Sequence, residues 1–486
     1  MTKNNNPAFS YIILILILFV ACSSIDQQIK AGIEAYQKDN FHQSFQILKP
    51  LADKGEGEAQ HYTGLMYLDG MGTEKDLAQG LKWLDLAVKN NQLLAMWKLA
   101  DIHFNGKGVS KNVSLGISYY KKAAMAGMVK AQILLGTLYL IGDIIPKNLN
   151  EAMIYFQLAA DQGEAIGQYH MGLLTEKGLT GLTPNIDSAI NWYELAAKQE
   201  HPESQNRLAL IYLKKEKIKT AISWFERSAK SNNAGAQFHL ANLHLSGAKF
   251  NINDERAFTL MQKSAQNGNL MAMVKLAEIF ELGLLSKSKN IKQALKWYVT
   301  AAKQKEAKSM GKIAVAMING QGMTKDIAKG KQLLKLAATA GDKESMSNLA
   351  NGYQSGLING KVEIDKAIEW YQKAAKAGHD WAQYRLGVLY SDGKLIKQNI
   401  NLALRWFKMA ADQNHGPSLH QLGIMHLKGI GLPQSHLQAI FWLKLAAQNN
   451  HKPAMQILAQ AYEKGKLGLI PDEAMAKYWI DKINQL

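Results

Sequence analysis

One phrase recurs along this chain at a nearly constant step, and that step constrains the fold more than any other feature. Ala/Ser-x-x-x-Leu-Gly/Ala-x-x-Tyr begins at Ala59, Ala95, Ala131, Gly167, Ser204, Ala236, Ala272, Ser309, Ser345, Ala382, Ser418 and Ala454, at intervals of 36, 36, 36, 37, 32, 36, 37, 36, 37, 36 and 36 residues. A second phrase, Trp-Tyr-x-x-Ala-Ala, keeps the same step and opens at Trp83, Tyr119, Tyr155, Trp192, Trp224, Leu260, Trp297, Leu333, Trp370, Trp406, Trp442 and Trp479. Two phrases in step at such a period mean stacked copies of one small unit.

The spacing inside each phrase predicts a helix. In the first, the small residue, the Leu and the aromatic fall at i, i+4 and i+8; in the second, the aromatic and the paired alanines share one apolar stripe. Between them lie Gly-rich turns such as Gly70-Met71-Gly72, Gly106-Lys107-Gly108-Val109, Gly320-Gln321-Gly322 and Gly429-Ile430-Gly431, where glycine can take positive φ at the end of the first helix, A. Prolines follow the same map: Pro202, Pro417 and Pro453 stand just ahead of helix A, and Pro146, Pro184, Pro433 and Pro471 fall in the loop before the second helix, B. The small residue beside the Leu, as in Leu135-Gly136, Leu386-Gly387 and Leu422-Gly423, lets helix B approach, the paired alanines accept the next unit, and the Trp or Tyr fills the space between. Such a hairpin cannot bury its apolar faces alone, so hairpins stack and stability accumulates from neighbour to neighbour.

The two-phrase pattern from Ala59 to Leu486 resembles the Sel1-like repeat family, relatives of the tetratricopeptide repeats. The resemblance implies an all-α fold, a right-handed superhelical α-solenoid of about twelve helix-turn-helix units over 56–486. The unit after Ser204 departs from the pattern, with Lys214-Lys215-Glu216-Lys217 in place of the Gly-rich loop, and predicts a tight turn. Residues 22–55 are expected to hold the processed N-terminus and a degenerate tetratricopeptide-like capping hairpin, and a helix starting near Asp472 to close the array.

The first 21 residues read differently. Lys3 precedes an apolar run from Tyr11 to Val20, followed by Ala21-Cys22-Ser23-Ser24, and ten apolar residues are about half of a bilayer span. That is an export signal rather than a membrane helix. Phe19-Val20-Ala21-Cys22 is similar to the lipobox of bacterial lipoprotein precursors, although such precursors usually carry Leu, Val or Ile where Phe19 stands. The resemblance implies cleavage after residue 21 and lipidation of Cys22, with Ser23 suiting outer-membrane sorting and a periplasm-facing protein in the cell envelope. Cys22 is the only cysteine of 486 residues, so no intramolecular disulfide can form and the one thiol sits at the lipidation position.

Chemistry is sparse. The Gly-x-Gly pairs follow no strand pattern, which separates them from phosphate-cradling loops. Thirteen histidines show no His-x-x-x-His or HExxH spacing, so no metal and no cofactor is expected; His103, His170, His239, His244, His420 and His426 occupy repeat positions and are expected as partly exposed helix residues. No Gly-x-Ser-x-Gly elbow occurs, and the chain is expected not to be an enzyme.

What remains for function is the concave face that helix A lines in such solenoids. The third position of the first phrase is often aromatic (Trp97, Tyr169, Phe238, Tyr384) and the fourth often basic (Lys98, Arg207, Lys275, Lys312, Arg385). Such a ladder suits an extended acidic ligand, or it packs against the next repeat. A formal charge of +17 favours anionic partners, an acidic protein or acidic polysaccharide. The basic residues form no run of five or more, so nucleic acid is not expected. The leading expectation is a lipid-anchored interaction scaffold that assembles envelope or secretion machinery or engages a host protein; the alternative is a regulator or binder of peptidoglycan-related enzymes or ligands. Charge reversals at Lys98, Lys275, Lys312 and Arg385 are expected to leave folding intact.

Overall fold

The computed structural model describes residues 24–179, 183–246 and 253–486; the signal segment 1–21 and Cys22 lie outside them. Among the described residues there are 26 helices and no strand, and no helix is long and apolar enough to cross a membrane. Helices at 24–37 and Phe41–Asp53 come first. Twelve A–B pairs follow, from repeat 1 (Gly57–Asp69 and Leu77–Lys89) to repeat 12 (Lys452–Lys464 and Glu473–Gln485). Contacts divide the chain between Asn233 and Ala234 into two compact units, the first holding repeats 1–5 and the second repeats 6–12. Within each, every helix packs on the helices before and after it, which makes each an all-α stack of hairpins, a solenoid.

Helix ends follow the turn chemistry. Gly70 and Gly106 take φ of 73° and 74°, and their N–H groups cap the carbonyls of Met66 and Ile102. The B helices open on a signal that the phrases do not contain: Asp76, Asn112, Asn148 and Asn290 each accept a backbone N–H of the first turn, the standard N-cap bond. In repeat 5 only three residues separate Pro202–Lys214 from Ile218–Lys230, and Glu216 takes the positive φ of 58° that glycine takes elsewhere. Pro202, Pro417 and Pro453 stand inside the first turn of their A helices rather than ahead of it, where the missing N–H costs no helical bond.

The close approach of A and B is visible at Gly136. An added Cβ would lie 2.7–2.9 Å from the Phe156 ring, and at Gly387 it would lie 2.5–2.9 Å from the Phe407 ring. The space between the helices is filled by the residue after the one expected. Phe156, Tyr193, Phe225, Tyr371 and Phe407 are at most 1% exposed, whereas the phrase-opening Trp192, Trp370 and Trp406 are only half-buried. One helical step of about 100° turns the opening indole sideways, so that Trp192 packs at the boundary with the preceding repeat, against the cluster of Phe156 from repeat 3 and Met171 from its own A helix.

A row of buried glutamines is a further inter-repeat link. Gln132 and Gln383 donate to the carbonyls of Ala124 and Ala375 at 2.9 and 3.0 Å, and their side-chain oxygens accept from Gln162 and Gln413, 30 residues on. Each adds a side-chain donor to a helix-end carbonyl that the N–H of Gly127 or Gly378 also reaches.

Candidate partner-binding site

All nine ladder residues lie on A helices, spread over three repeats of the first unit and four of the second. Trp97 and Lys98 are in repeat 2 (Leu93–Asn105), Tyr169 in repeat 4 (Ala165–Lys177) and Arg207 in repeat 5 (Pro202–Lys214), all in the first unit. Phe238 is in repeat 6 (Ala234–Ser246), Lys275 in repeat 7 (Leu270–Leu282), Lys312 in repeat 8 (Ala307–Asn319), and Tyr384 and Arg385 in repeat 10 (Asp380–Asp392), in the second.

The four aromatic rings are half-buried and engaged by their own neighbours. Trp97 leans on Tyr120 at 4.9 Å, with Lys130 Nζ 4.5 Å over its face. Tyr169 lies 5.1 Å from His201, and Tyr384 5.2 Å from His415. Both histidines stand at the N-terminus of the next A helix, with Nδ1 near the hydroxyls of Ser204 and Ser418. Phe238 packs on the core around Met261 and Leu276. A ring that the phrase does not contain is more open than these four: Trp381 is 44% exposed, 5.4 Å from Tyr384.

The basic residues divide into two sets. In the first, a buried tyrosine, an acid or amide 17 residues earlier and a cation 14 residues later form a relay between repeats. Tyr298 Oη donates to Glu281 at 2.6 Å and Lys312 Nζ reaches the same carboxylate at 3.2 Å; Tyr371 Oη and Arg385 Nη2 both donate to Gln354 Oε1 at 3.0 Å. Tyr193 Oη donates to Glu176 at 2.7 Å, and the charge of Arg207 acts on that tyrosine. Lys312 also pairs with Glu344 at 3.4 Å; burial opposes its charge, but Glu344 and Glu281 outweigh burial and raise its pKa. Reversing Lys312 would therefore set a third carboxylate between two, so the expectation that all four reversals leave folding intact does not hold there. The tyrosine, its partner and the cation sit in different phrases, and only a search at offsets of 17 and 14 would have joined them.

Lys98 and Lys275 form the second set. Lys275 is exposed and bonds Glu278 of its own helix at 2.8 Å, and Lys98 is half-buried with its charge acting on His61. Burial, with Lys98 adding to it, lowers the His61 pKa to about 4, and burial lowers those of His170 and His420 to about 4, with His201 and His451 adding to it in turn. These rings are neutral at neutral pH; His61 is buried, and His170 and His420 are half-buried as expected. His244, expected as partly exposed, is buried at 3%. No group of three or more His, Cys, Asp or Glu able to hold a metal occurs among the described residues.

The Sel1 repeat family matches twelve consecutive segments: 57–92, 93–128, 129–164, 165–201, 202–233, 234–269, 270–306, 307–342, 343–379, 382–415, 416–451 and 452–483. The crystal structure of a protective antigen present in uropathogenic Escherichia coli strains, with an SLR fold, is 29% identical, covers 91% of this chain and 96% of its own, and superposes with a TM-score of 0.63. Chitin synthase regulatory factor 3 of Schizosaccharomyces pombe is 28% identical over 233 residues, 47% of this chain and 21% of that protein. Human protein sel-1 homolog 2 is 29% identical over 158 residues, 32% of this chain and 23% of that one. The chain thus spans about a fifth of the length of these curated relatives.

Proposed function

The chain belongs to the Sel1-repeat family, whose members are protein-interaction scaffolds, and from that premise we propose that it is a non-enzymatic scaffold lipid-anchored through Cys22 in a bacterial cell envelope. It faces the periplasm from the outer membrane and gathers an acidic envelope protein, or an acidic polysaccharide, on its A-helix surface. One observation carries the reading: the sole cysteine stands one residue behind the apolar run Tyr11 to Val20 and ahead of an array of twelve Sel1 repeats. The charge of +17 supports anionic partners, and the cations outside the tyrosine relays, Lys98 and Lys275, are the first contacts to test. The likeness to a protective antigen of a bacterial pathogen agrees with a protein that a host encounters.

Metabolic labelling with radioactive palmitate tests the anchor: label is expected on the wild type and lost in Cys22→Ser, and an unlabelled wild type refutes it. Crosslinking capture from intact cells tests the scaffold. A defined envelope partner is expected, and it is expected to be lost on Lys98→Glu/Lys275→Glu. The match to a chitin synthase regulatory factor favours a second reading, regulation of a cell-wall polymerising enzyme, and capture of a peptidoglycan enzyme as the sole partner would select it.

A further inference from the structure

The second unit has two edges of turns, and they differ in chemistry. Six A–B turns, those of repeats 7–12, join each A helix to its own B helix, and six B–A turns lead into the same repeats at the other helix ends. An added Cβ at Gly322 would meet Ile291 and Leu295, and one at Gly431 would meet Ile400 and Leu404, each pair in the first two turns of the preceding B helix. The turns of repeats 8 and 11 thus rest on the repeats before them, and the A–B turns run along one edge.

Five of those six turns expose an apolar side chain that packing does not need. Leu284, Leu357, Val362, Leu395, Ile430 and Ile470 range from 39% exposed at Ile430 to 83% at Ile470. In each of these turns another apolar residue already closes the core beneath: Leu285, Ile358, Ile396, Leu432 and Leu469 pack against buried clusters. None of the six B–A turns exposes a large apolar side chain. Single exposed apolar residues are ordinary; their confinement, among turns, to one edge is not.

Charge divides the edges in the same way. The A–B turns hold seven lysines and three acids, and the acids, Asp326, Glu363 and Asp472, stand at the N-caps of B helices. The B–A turns hold two lysines and three acids. Lys287 and Lys394 pair with Glu255 and Asp392. Among the described residues, Lys289, Lys325, Lys397 and Lys466 are exposed and form no salt bridge.

We infer that the A–B edge of the second unit docks on the surface of an anionic phospholipid membrane, with the apolar tips between headgroups and the lysines on their phosphates. A protein partner needs a complementary surface shaped to each tip. A lipid surface accepts isolated apolar side chains at any spacing, and its anionic headgroups attract the lysines beside them. One or two exposed tips per turn, with a cation close in sequence, meet that requirement. The edge is distinct from the A-helix ladder, and the assignment does not rest on the lipid anchor at Cys22.

The test uses the full chain with Cys22→Ser, which removes the anchor and the only thiol, so that an environment-sensitive fluorophore can be placed on one new cysteine. Phosphatidylcholine vesicles containing about one-third phosphatidylglycerol, an anionic surface, are expected to shift the emission of label at Ile430→Cys to the blue. Label at Ala377→Cys, in a B–A turn, is expected to stay unchanged, and pure phosphatidylcholine to shift neither. Residues 1–21 are common to both proteins, so attachment through them does not distinguish the two edges. With label at Ile430→Cys, Lys397→Gln/Lys466→Gln is expected to raise the lipid concentration at half-shift roughly 25-fold at low salt, about fivefold per lysine. Leu395→Ser/Ile470→Ser is expected to raise it at least about tenfold, with an unchanged melting temperature. Equal shifts at both edges, equal response to neutral vesicles, or a half-shift concentration unchanged in both variants overturns the inference. A shift produced by polyglutamate but by no vesicle assigns the edge to an acidic protein and overturns it as well.

Discussion

Gly136→Ala is expected to change the sign of its effect with the residue opposite. In the native background the new Cβ falls 2.7 Å from Phe156 Cε1 and 2.8 Å from Cδ1, whereas carbon atoms rest at about 3.5–4.0 Å. Phe156 is fully buried, so helix B must move by close to an ångström. Overpacking of this kind costs about 1–3 kcal/mol, and replacing glycine by alanine in a helix returns about 1 kcal/mol, leaving a net loss of about 0–2 kcal/mol. In a Phe156→Ala background, itself about 3–5 kcal/mol less stable, the clash is absent and the same change is expected to stabilise by about 1 kcal/mol. Because repeat arrays need not unfold in one step, the readout is amide hydrogen exchange in helices Val129–Ile141 and Leu149–Asp161 of the four cycle members. A loss of protection of the same size in both backgrounds would refute close approach as the reason for this glycine.

Acidification should destabilise the chain in a defined window. With His61, His170 and His420 lowered to about 4 against about 6.5 when unfolded, the unfolded chain binds more protons between those values, so stability is flat above pH 6.5 and falls as pH drops towards 4; thermal melts that do not shift between pH 7 and 5 would contradict this. Lys275→Glu is expected to stay within about 0.5 kcal/mol of the wild type, while Lys312→Glu is expected to lose roughly 1–3 kcal/mol, between the exposed and buried limits for ion pairs, and a denaturant titration giving equal midpoints would remove the relay argument. Asn148→Ala deletes a side chain that accepts from Asn150 and Glu151 N–H and is expected to cost about 1 kcal/mol, read as faster exchange in the first turn of Leu149–Asp161; unchanged exchange there would show that this cap contributes nothing.

The sequence by itself determined the helices, their number in the array, their turns and their close contacts, because each depends on residues a few positions apart: a glycine at a left-handed C-cap, a glycine facing a ring, two alanines accepting the next hairpin. It placed the ladder correctly on the A helices. What it did not determine is what those side chains touch. Whether Trp192 or Tyr193 fills the core depends on one helical step of rotation, which a period alone does not resolve. Whether Lys312 faces solvent or Glu281 depends on groups 31 residues apart meeting across a repeat boundary. Periodicity specifies a helix and its apolar stripe; the partner of a polar side chain is set by the neighbouring repeat, and that is decided in the tertiary stack.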